Sequence, residues 1–305
     1  MLILLGLTWG SSFILMKKGL LVYSSSEVGA LRIVISFLFL LPFALARLKN
    51  IKPRTLLILL LAGILGNGAP AFLFAKAQTV IDSSVAGILN SLTPLFTVLV
   101  GIIAFKLKLR WFNFLGVAIG MAGAMGLLAV SGSGEFSFKF SYAIYVIIAT
   151  LLYAINVNII KTYLKDVDSI GIVALSFMLI GLPVLIYLFT FTDFTLKLSN
   201  HPQALTGLGY VAILAIGGTA LALMLFNKLL KMTDPVFASS VTYLIPIIAV
   251  LWGFLDGEKL GWSYLLWVLL VLTGIILVSA KHPSRLPIIG VLIRKTKNYT
   301  NRFGI

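Results

Sequence analysis

The chain has no cysteine, two histidines and nine acidic residues in 305, and only 11% of it is charged. Without cysteine there is no disulfide framework, no thiolate metal ligand and no thiol chemistry. The histidines, His201 and His282, lie outside every long apolar run. No HExxH pattern occurs, and no Asp or Glu falls clearly inside such a run, which weighs against an enzyme acting on lipid within the bilayer. Neither a metal nor a cofactor is expected.

What the chain has in excess is apolar surface. Its hydrophobic fraction is 60% and its mean hydropathy +1.09, whereas soluble globules run at about 45–50% apolar and about 25% charged. Stretches long enough to cross about 30 Å of hydrocarbon fall near 2–21, 27–46, 55–77, 84–104, 111–130, 141–160, 170–190, 204–229, 236–254 and 262–280. The expected fold is therefore an all-α integral membrane protein with ten transmembrane helices. Helices rather than a barrel follow because the runs are continuously apolar instead of alternating. The first run lacks a basic leader and a clear small-residue cleavage site, so it reads as a retained helix. The connections are short, the longest being an outer loop around 192–202.

A net charge of +15 would suggest nucleic acid in a soluble protein, but its placement says otherwise. Seventeen of the 24 Lys and Arg fall on one side of the ten-span arrangement and three (Lys139, Lys197, Lys259) in loops on the other. The charge is topological: both termini are expected in the cytoplasm of a plasma membrane, in bacteria the inner membrane, and no nucleic-acid partner is expected. A basic tail over 281–305, with apolar interludes, is expected to lie on the anionic inner leaflet.

The second half repeats the first. Shifting residues 64–101 forward by 152 brings twelve pairs into coincidence without a gap, among them Gly66/Gly218, Phe74/Phe226, Lys76/Lys228, Asp82/Asp234 and Pro94/Pro246. About three coincidences would arise by chance in so apolar a chain. Each copy holds five spans, 1–130 and 141–280. An odd number turns the second copy upside down, the construction that lets two inverted halves expose one midplane site to each face in turn. Ser131–Gly134 between them has the composition of a flexible joint.

In the first span Trp9-Gly10-Ser11-Ser12-Phe13 is followed by Lys17, and the fourth and ninth spans carry Asn90-Ser91-Leu92-Thr93-Pro94 and Thr242-Tyr243-Leu244-Ile245-Pro246. In these segments the chain resembles the EamA-type branch of the drug/metabolite transporter superfamily, over residues 1 to about 280. The family's W-G-S-x-F string is absent from the second copy, where a shift of 144 sets Tyr153 and Asn156 opposite Trp9 and Ser12. The resemblance implies export or exchange of small metabolites, such as amino acids, through a central cavity.

Backbone irregularity at membrane depth is tolerated only where it is buried or lines a wet cavity. Gly66, Gly68 and Pro70 interrupt span three, Gly218 interrupts span eight, and Pro94 and Pro246 free the carbonyls of Asn90 and Thr242. The expected helix breaks are these six residues. Trp9, Ser11, Ser12, Lys17, Asn67, Asn90, Thr93, Tyr153, Asn156, Thr242 and Tyr243 are the expected substrate contacts, the aromatics supplying flat, partly polar walls. Lys17, Arg32 and Lys76 together are candidates to hold an anionic or zwitterionic ligand, with Lys17 favoured. A nucleotide-sugar or phosphorylated-sugar carrier would want a more basic cavity. Gly116, Gly120, Gly123 and Gly126 suit close packing of span five on another helix. A monomer is favoured over a homodimer, and the expected partners are a small-molecule substrate and the lipid bilayer.

Overall fold

The computed structural model describes residues 1–48, 51–105, 115–116, 118–120, 122–123, 125–126, 136–233, 235–258 and 262–279. Among the described residues every regular element is helical. In order these are α1 (Leu2–Leu20), α2 (Ser25–Leu48), α3 (Pro53–Gly63), a π segment (Ile64–Gly68), α4 (Ala69–Ala77), α5 (Ser83–Asn90) and α6 (Thr93–Phe105). Then come α7 (Phe136–Tyr163), α8 (Ser169–Thr190), α9 (Phe194–Asn200), α10 (Ala204–Ile213), a second π segment (Leu214–Leu221) and α11 (Ala222–Met232). Last are α12 (Pro235–Ser239), a 3-10 turn (Ser240–Tyr243), α13 (Ile245–Leu255) and α14 (Trp262–Ser279). Six continuous helical stretches are long and apolar enough to cross a bilayer: Ser25–Leu48, Pro53–Ala77, Ser83–Ala104, Phe140–Tyr163, Ser169–Thr190 and Ala204–Met232. Shorter apolar helices accompany them. Leucines and isoleucines such as Ile3, Leu57, Leu182 and Leu205 are exposed on the outside of the bundle, as a hydrocarbon solvent allows. Ser131–Gly134 and the 281–305 tail lie outside the described residues.

Local sequence explains the element ends. Ser24 and Glu27 form a capping box at the start of α2: the Ser24 N–H donates to Glu27 Oε2 at 2.6 Å, and the Glu27 N–H to Ser24 Oγ at 3.3 Å. Asp168 caps α8 by accepting from the Gly171 N–H at 3.1 Å. The expected loop around 192–202 is instead largely α9. Phe194 is buried there against Tyr23, with ring centroids 5.8 Å apart, and Lys197 pairs with the buried Glu27 at 2.6 Å. One apolar anchor and one ion pair fold the segment down onto α2, which composition alone does not reveal.

Glycines set the close approaches. A Cβ on Gly6 or Gly10 would sit 2.6 Å from Leu244 Cβ or 2.5 Å from Ile248 Cβ, so these two small residues four apart let α1 lie directly on α13. In span five, a Cβ on Gly123 would come within 2.7 Å of the Val271 nitrogen and one on Gly126 within 2.2 Å of the Trp267 ring. The glycine stripe therefore packs on α14 of the same chain.

Both expected interruptions are π turns, not unwound breaks. Each widened turn still bonds its backbone, as when the Ala69 N–H reaches back to Ile64 O, but it leaves carbonyls aimed inward. Side chains from α1 and α2, and one from the π segment itself, take them. Trp9 Nε1 donates to Gly218 O at 3.0 Å, Ser36 Oγ to Ala215 O at 2.8 Å, and Thr219 Oγ1 to Leu214 O at 3.1 Å. The prolines mark two further breaks: α5 stops at Asn90 before Pro94, and α12 gives way to the 3-10 turn before Pro246. Thr93 Oγ1 takes the Asn90 carbonyl at 2.7 Å, so that acceptor is satisfied by a neighbouring hydroxyl.

Candidate functional site

These irregular turns converge on one cavity, with about 1050 Å³ of atom-free space including its mouth. Of the expected contacts, Trp9, Ser12, Asn67, Asn90, Thr93, Tyr153, Asn156 and Thr242 line it, as do Gly66 and Gly218. Gly68, Pro70, Pro94 and Pro246 shape the adjoining backbone without reaching the wall. Ser11 is turned away: its hydroxyl accepts from Trp252 Nε1 at 2.8 Å and donates to Leu7 O at 2.8 Å. Consecutive helical residues point about 100° apart, and on α1 the cavity takes the Ser12–Phe13 side of the helix, with Ser11 on the flank toward Trp252. The side chain of Tyr243 lies outside the described residues.

The wall is built from cross-matched pairs. Trp9 packs on Phe226 at 5.1 Å between centroids, and Tyr153 stacks on Phe74 at 5.9 Å. A shift of 144 carries Trp9 onto Tyr153, and a shift of 152 carries Phe74 onto Phe226. The polar pairs repeat this. A Cβ on Gly218 would lie 2.6 Å from Ser12 Oγ, and one on Gly66 would lie 2.0 Å from Asn156 Nδ2. The same two shifts relate Ser12 to Asn156 and Gly66 to Gly218. The helix that opens each half of the chain, α1 or α7, thus rests on the π turn of the other half. Asn90 Oδ1 and Asn156 Oδ1 are buried with no hydrogen-bond partner among the described residues, so two acceptors stand ready on this wall.

Of the three basic residues singled out, only Arg32 reaches the cavity. It is half-buried, its Nε donates to Thr219 Oγ1 at 2.8 Å, and it lies beside the Tyr153 hydroxyl. A cation at the centre of a spanning helix costs about 2.5–3.5 kcal/mol on insertion scales, so a half-buried arginine inside the bundle calls for a compensating role. Lys76 is exposed, 5.9 Å from the Tyr142 ring centroid.

Lys17, expected at the site, belongs to a cluster at the end of α1. Its Nζ lies 2.9 Å from both Asp256 Oδ2 and Glu258 Oε1, and Lys18 pairs with Asp256. Glu258 also accepts from the Ser83 N–H at 3.0 Å, the Ser83 hydroxyl at 2.6 Å and the Ser84 N–H at 3.3 Å. It thereby caps the start of α5, where the helix dipole favours negative charge. Gly257, at φ +83°, supplies the left-handed turn that folds Glu258 back. The cluster ties α1, α5 and α13 together at one end of the bundle. Cavity residues Ile160, Ile172 and Phe226 come from the helix segments nearer the other end, where Lys161 donates to Leu230 O at 3.0 Å and Arg47 pairs with Asp168 at 3.1 Å.

Burial pushes both carboxyls of the cluster up, but for Asp256 the hydrogen bonds from Lys17 and Lys18 outweigh it, and for Glu258 those from Ser83, Ser84 and Lys17 do. Both groups end below their ordinary values of 3.8 and 4.5. A lowered folded-state pKa gives stability that is complete above the ordinary value and lost as pH falls through the lowered one. The melting temperature in detergent is therefore expected to hold between pH 7 and about 5 and to fall below about pH 4. In Glu258→Gln that acid-induced fall should be smaller; an equal fall would assign it to other groups.

Phe74, Phe226, Ser176, Asn227 and Ser239 line the cavity without having been expected there. Phe74 and Phe226 were visible as a coinciding pair, yet phenylalanine is too common in this chain for the match to stand out. The other three have no polar counterpart of the same type across the repeat, and nothing in the sequence marks them.

Comparison with known proteins bears on what this arrangement does. Residues 1–129 and 140–280 match the EamA-like transporter family. YedA of Escherichia coli K12, described as an uncharacterized inner membrane transporter, is 28% identical over 280 residues, covering 89% of this chain and 87% of its own. YdfC of Bacillus subtilis 168, described as an uncharacterized transporter, is 25% identical over 183 residues, covering 59% of this chain and 58% of its own. A solved crystal structure superposes with a TM-score of 0.60 at 19% identity, covering 90% of this chain and 94% of the other, which shows a shared fold.

Proposed function

From the premise that the chain belongs to the EamA-like transporter family and is a multi-pass membrane transporter, we propose that it exports or exchanges small metabolites, amino-acid-sized, by alternating access around the cavity. Two inverted five-helix halves rock about the π turns, exposing Asn67, Asn90, Asn156 and their neighbours to one face and then the other. The observation that carries this reading is the cross-matched wall, in which Trp9–Phe226 and Ser12–Gly218 answer Tyr153–Phe74 and Asn156–Gly66. An inverted pair of halves meeting at a central site produces that pattern. The start of α5 meeting the residues after α13 at Glu258 supports it too, since the α5–α6 and α12–α13 stretches are counterparts under the 152-residue shift and run in opposite directions. With both termini cytoplasmic, the Lys17 cluster closes the outer end and the cavity faces inward. One cation on the described wall suits a small substrate better than the paired phosphates of a nucleotide sugar.

The test is flux in proteoliposomes. Trp9→Ala removes the flat wall and the bond to Gly218 O, and Asn90→Ala removes a waiting acceptor. Each is expected to lower flux of the true substrate by about tenfold or more, the equivalent of about 1.4 kcal/mol, while the protein still purifies as a folded monodisperse species. Wild-type flux in both would remove the cavity from the transport route.

A further inference from the structure

We infer that the substrate presents a carboxylate to Arg32 and that it is an organic monoanion with an apolar or aromatic body, neither a zwitterion nor an amine. The inference rests on the transporter reading above. Arg32 is the eighth residue of α2, about 10 Å along the helix from its start, and it is the one charged residue on the described wall. Among the described residues the ion pairs all belong to other cations, Lys17, Lys18, Arg47 and Lys197. Its two neighbours, Thr219 and Tyr153, are neutral.

A guanidinium carries five N–H donors in a planar fork. With Nε committed to Thr219 and one further donor shared with the Tyr153 hydroxyl, the guanidinium retains donors for a carboxylate, the geometry for which arginine is best suited. The charge is also one-sided. The 144-residue shift that carries the start of α2 onto the start of α8 sets Ser176 opposite Arg32, and Ser176 Oγ is spent on Leu59 O at 2.9 Å. The second copy thus adds neither a like charge nor a compensating one.

A walled space with a single fixed cation attracts anions and repels cations. Among the described residues no Asp or Glu lines it, so the ammonium of a zwitterion would enter without an ionic partner. The open oxygens of Asn90 and Asn156 ask only for neutral donors such as a hydroxyl. Trp9, Phe74 and Phe226 supply the surface for an apolar or aromatic body.

Four probes that share a phenylethyl unit separate the possibilities: 3-phenylpropionate, 3-phenyllactate, phenylalanine and phenethylamine. Each is titrated by calorimetry into purified protein in nanodiscs, then tested for uptake in proteoliposomes. The two acids are expected to bind, phenyllactate the tighter, with phenylalanine about tenfold weaker or more and phenethylamine without detectable binding. Arg32→Gln should lose about tenfold or more of the acid affinity and erase the preference for acid over zwitterion, and Arg32→Lys should recover part of it. Both variants are checked by melting temperature and size exclusion.

Phenylalanine or phenethylamine binding as tightly as the acids would overturn the inference. So would acid affinity unchanged in folded Arg32→Gln, or no binding by any of the four. Arg32-dependent acid binding without uptake would leave the head-group assignment standing and remove the transporter reading. Uptake of a substrate indifferent to Arg32 would do the reverse.

Discussion

Gly66→Leu is expected to abolish substrate flux while leaving a membrane-inserted protein, and Gly218→Leu to do the same. A Cβ at Gly66 already falls 2.0 Å from Asn156 Nδ2, and one at Gly218 falls 2.6 Å from Ser12 Oγ. The amide of Asn156 can rotate away from a methyl group, so alanine is a partial lesion. The branched end of leucine has only the cavity to enter, where it displaces substrate and props the first helix of one copy off the π turn of the other. Overpacking of this kind costs about 1–3 kcal/mol in stability, and flux should fall below the detection limit of a proteoliposome assay. Gly217 provides the control. Nothing lies within 4 Å of a Cβ placed there, so Gly217→Ala should keep near-normal flux, with stability unchanged or higher by up to about 1 kcal/mol from helix propensity. Equal damage at 217 and 218 would mean that glycine serves backbone flexibility in the π turn and not close contact.

Glu258→Ala is expected to have the second largest effect, through the conformational balance. The side chain is 3% exposed and accepts from Lys17, Ser83 and Ser84, so its loss leaves a cation and a helix start without their acceptor. Breaking a buried pair costs about 3–5 kcal/mol. Lys17 is 30% exposed and keeps Asp256 at 2.9 Å, which brings the expectation to about 2 kcal/mol. If the pair exists only while this end is closed, the whole difference acts on the equilibrium between closed and open, a shift of about thirtyfold. Met16 lines the cavity one residue before Lys17, and a cysteine there reports the change. Its labelling from the outer face by an impermeant maleimide should rise about tenfold or more in the Glu258→Ala background. An unchanged rate would mean that the cluster stabilises the bundle without gating it.

Which features could be read in advance depended on the distance over which they act. The apolar runs and the coincidences under a 152-residue shift are properties of the chain itself, and the glycines that interrupt the third and eighth apolar runs sit in the two π segments. The sequence favours Lys17 over Arg32, whereas the structure sets Arg32 on the cavity wall and Lys17 in an ion-pair cluster, because a charge is defined by its partners. Those of Lys17 lie some 240 residues downstream, in a turn that looked merely terminal, while Arg32 has neutral neighbours that no local pattern announces. Ser11 and Ser12 read as one feature in a string of polar residues, although adjacent helical positions diverge by about 100°. The residues 192–202 looked like a loop because α9 is held by Phe194 and Lys197 through contacts to α1–α2, not by its own propensity.

The most direct test of the account uses the absence of cysteine from the natural chain. Asn67 is half-buried on the cavity wall, and Asn67→Cys places a single thiol there. Oriented vesicles are exposed to a membrane-impermeant maleimide on one face at a time, right side out and inside out. Alternating access predicts labelling from both faces, with the outer rate rising when Glu258→Ala is added. Labelling from neither face, or from one face only even in that background, would contradict a cavity that opens to each side in turn.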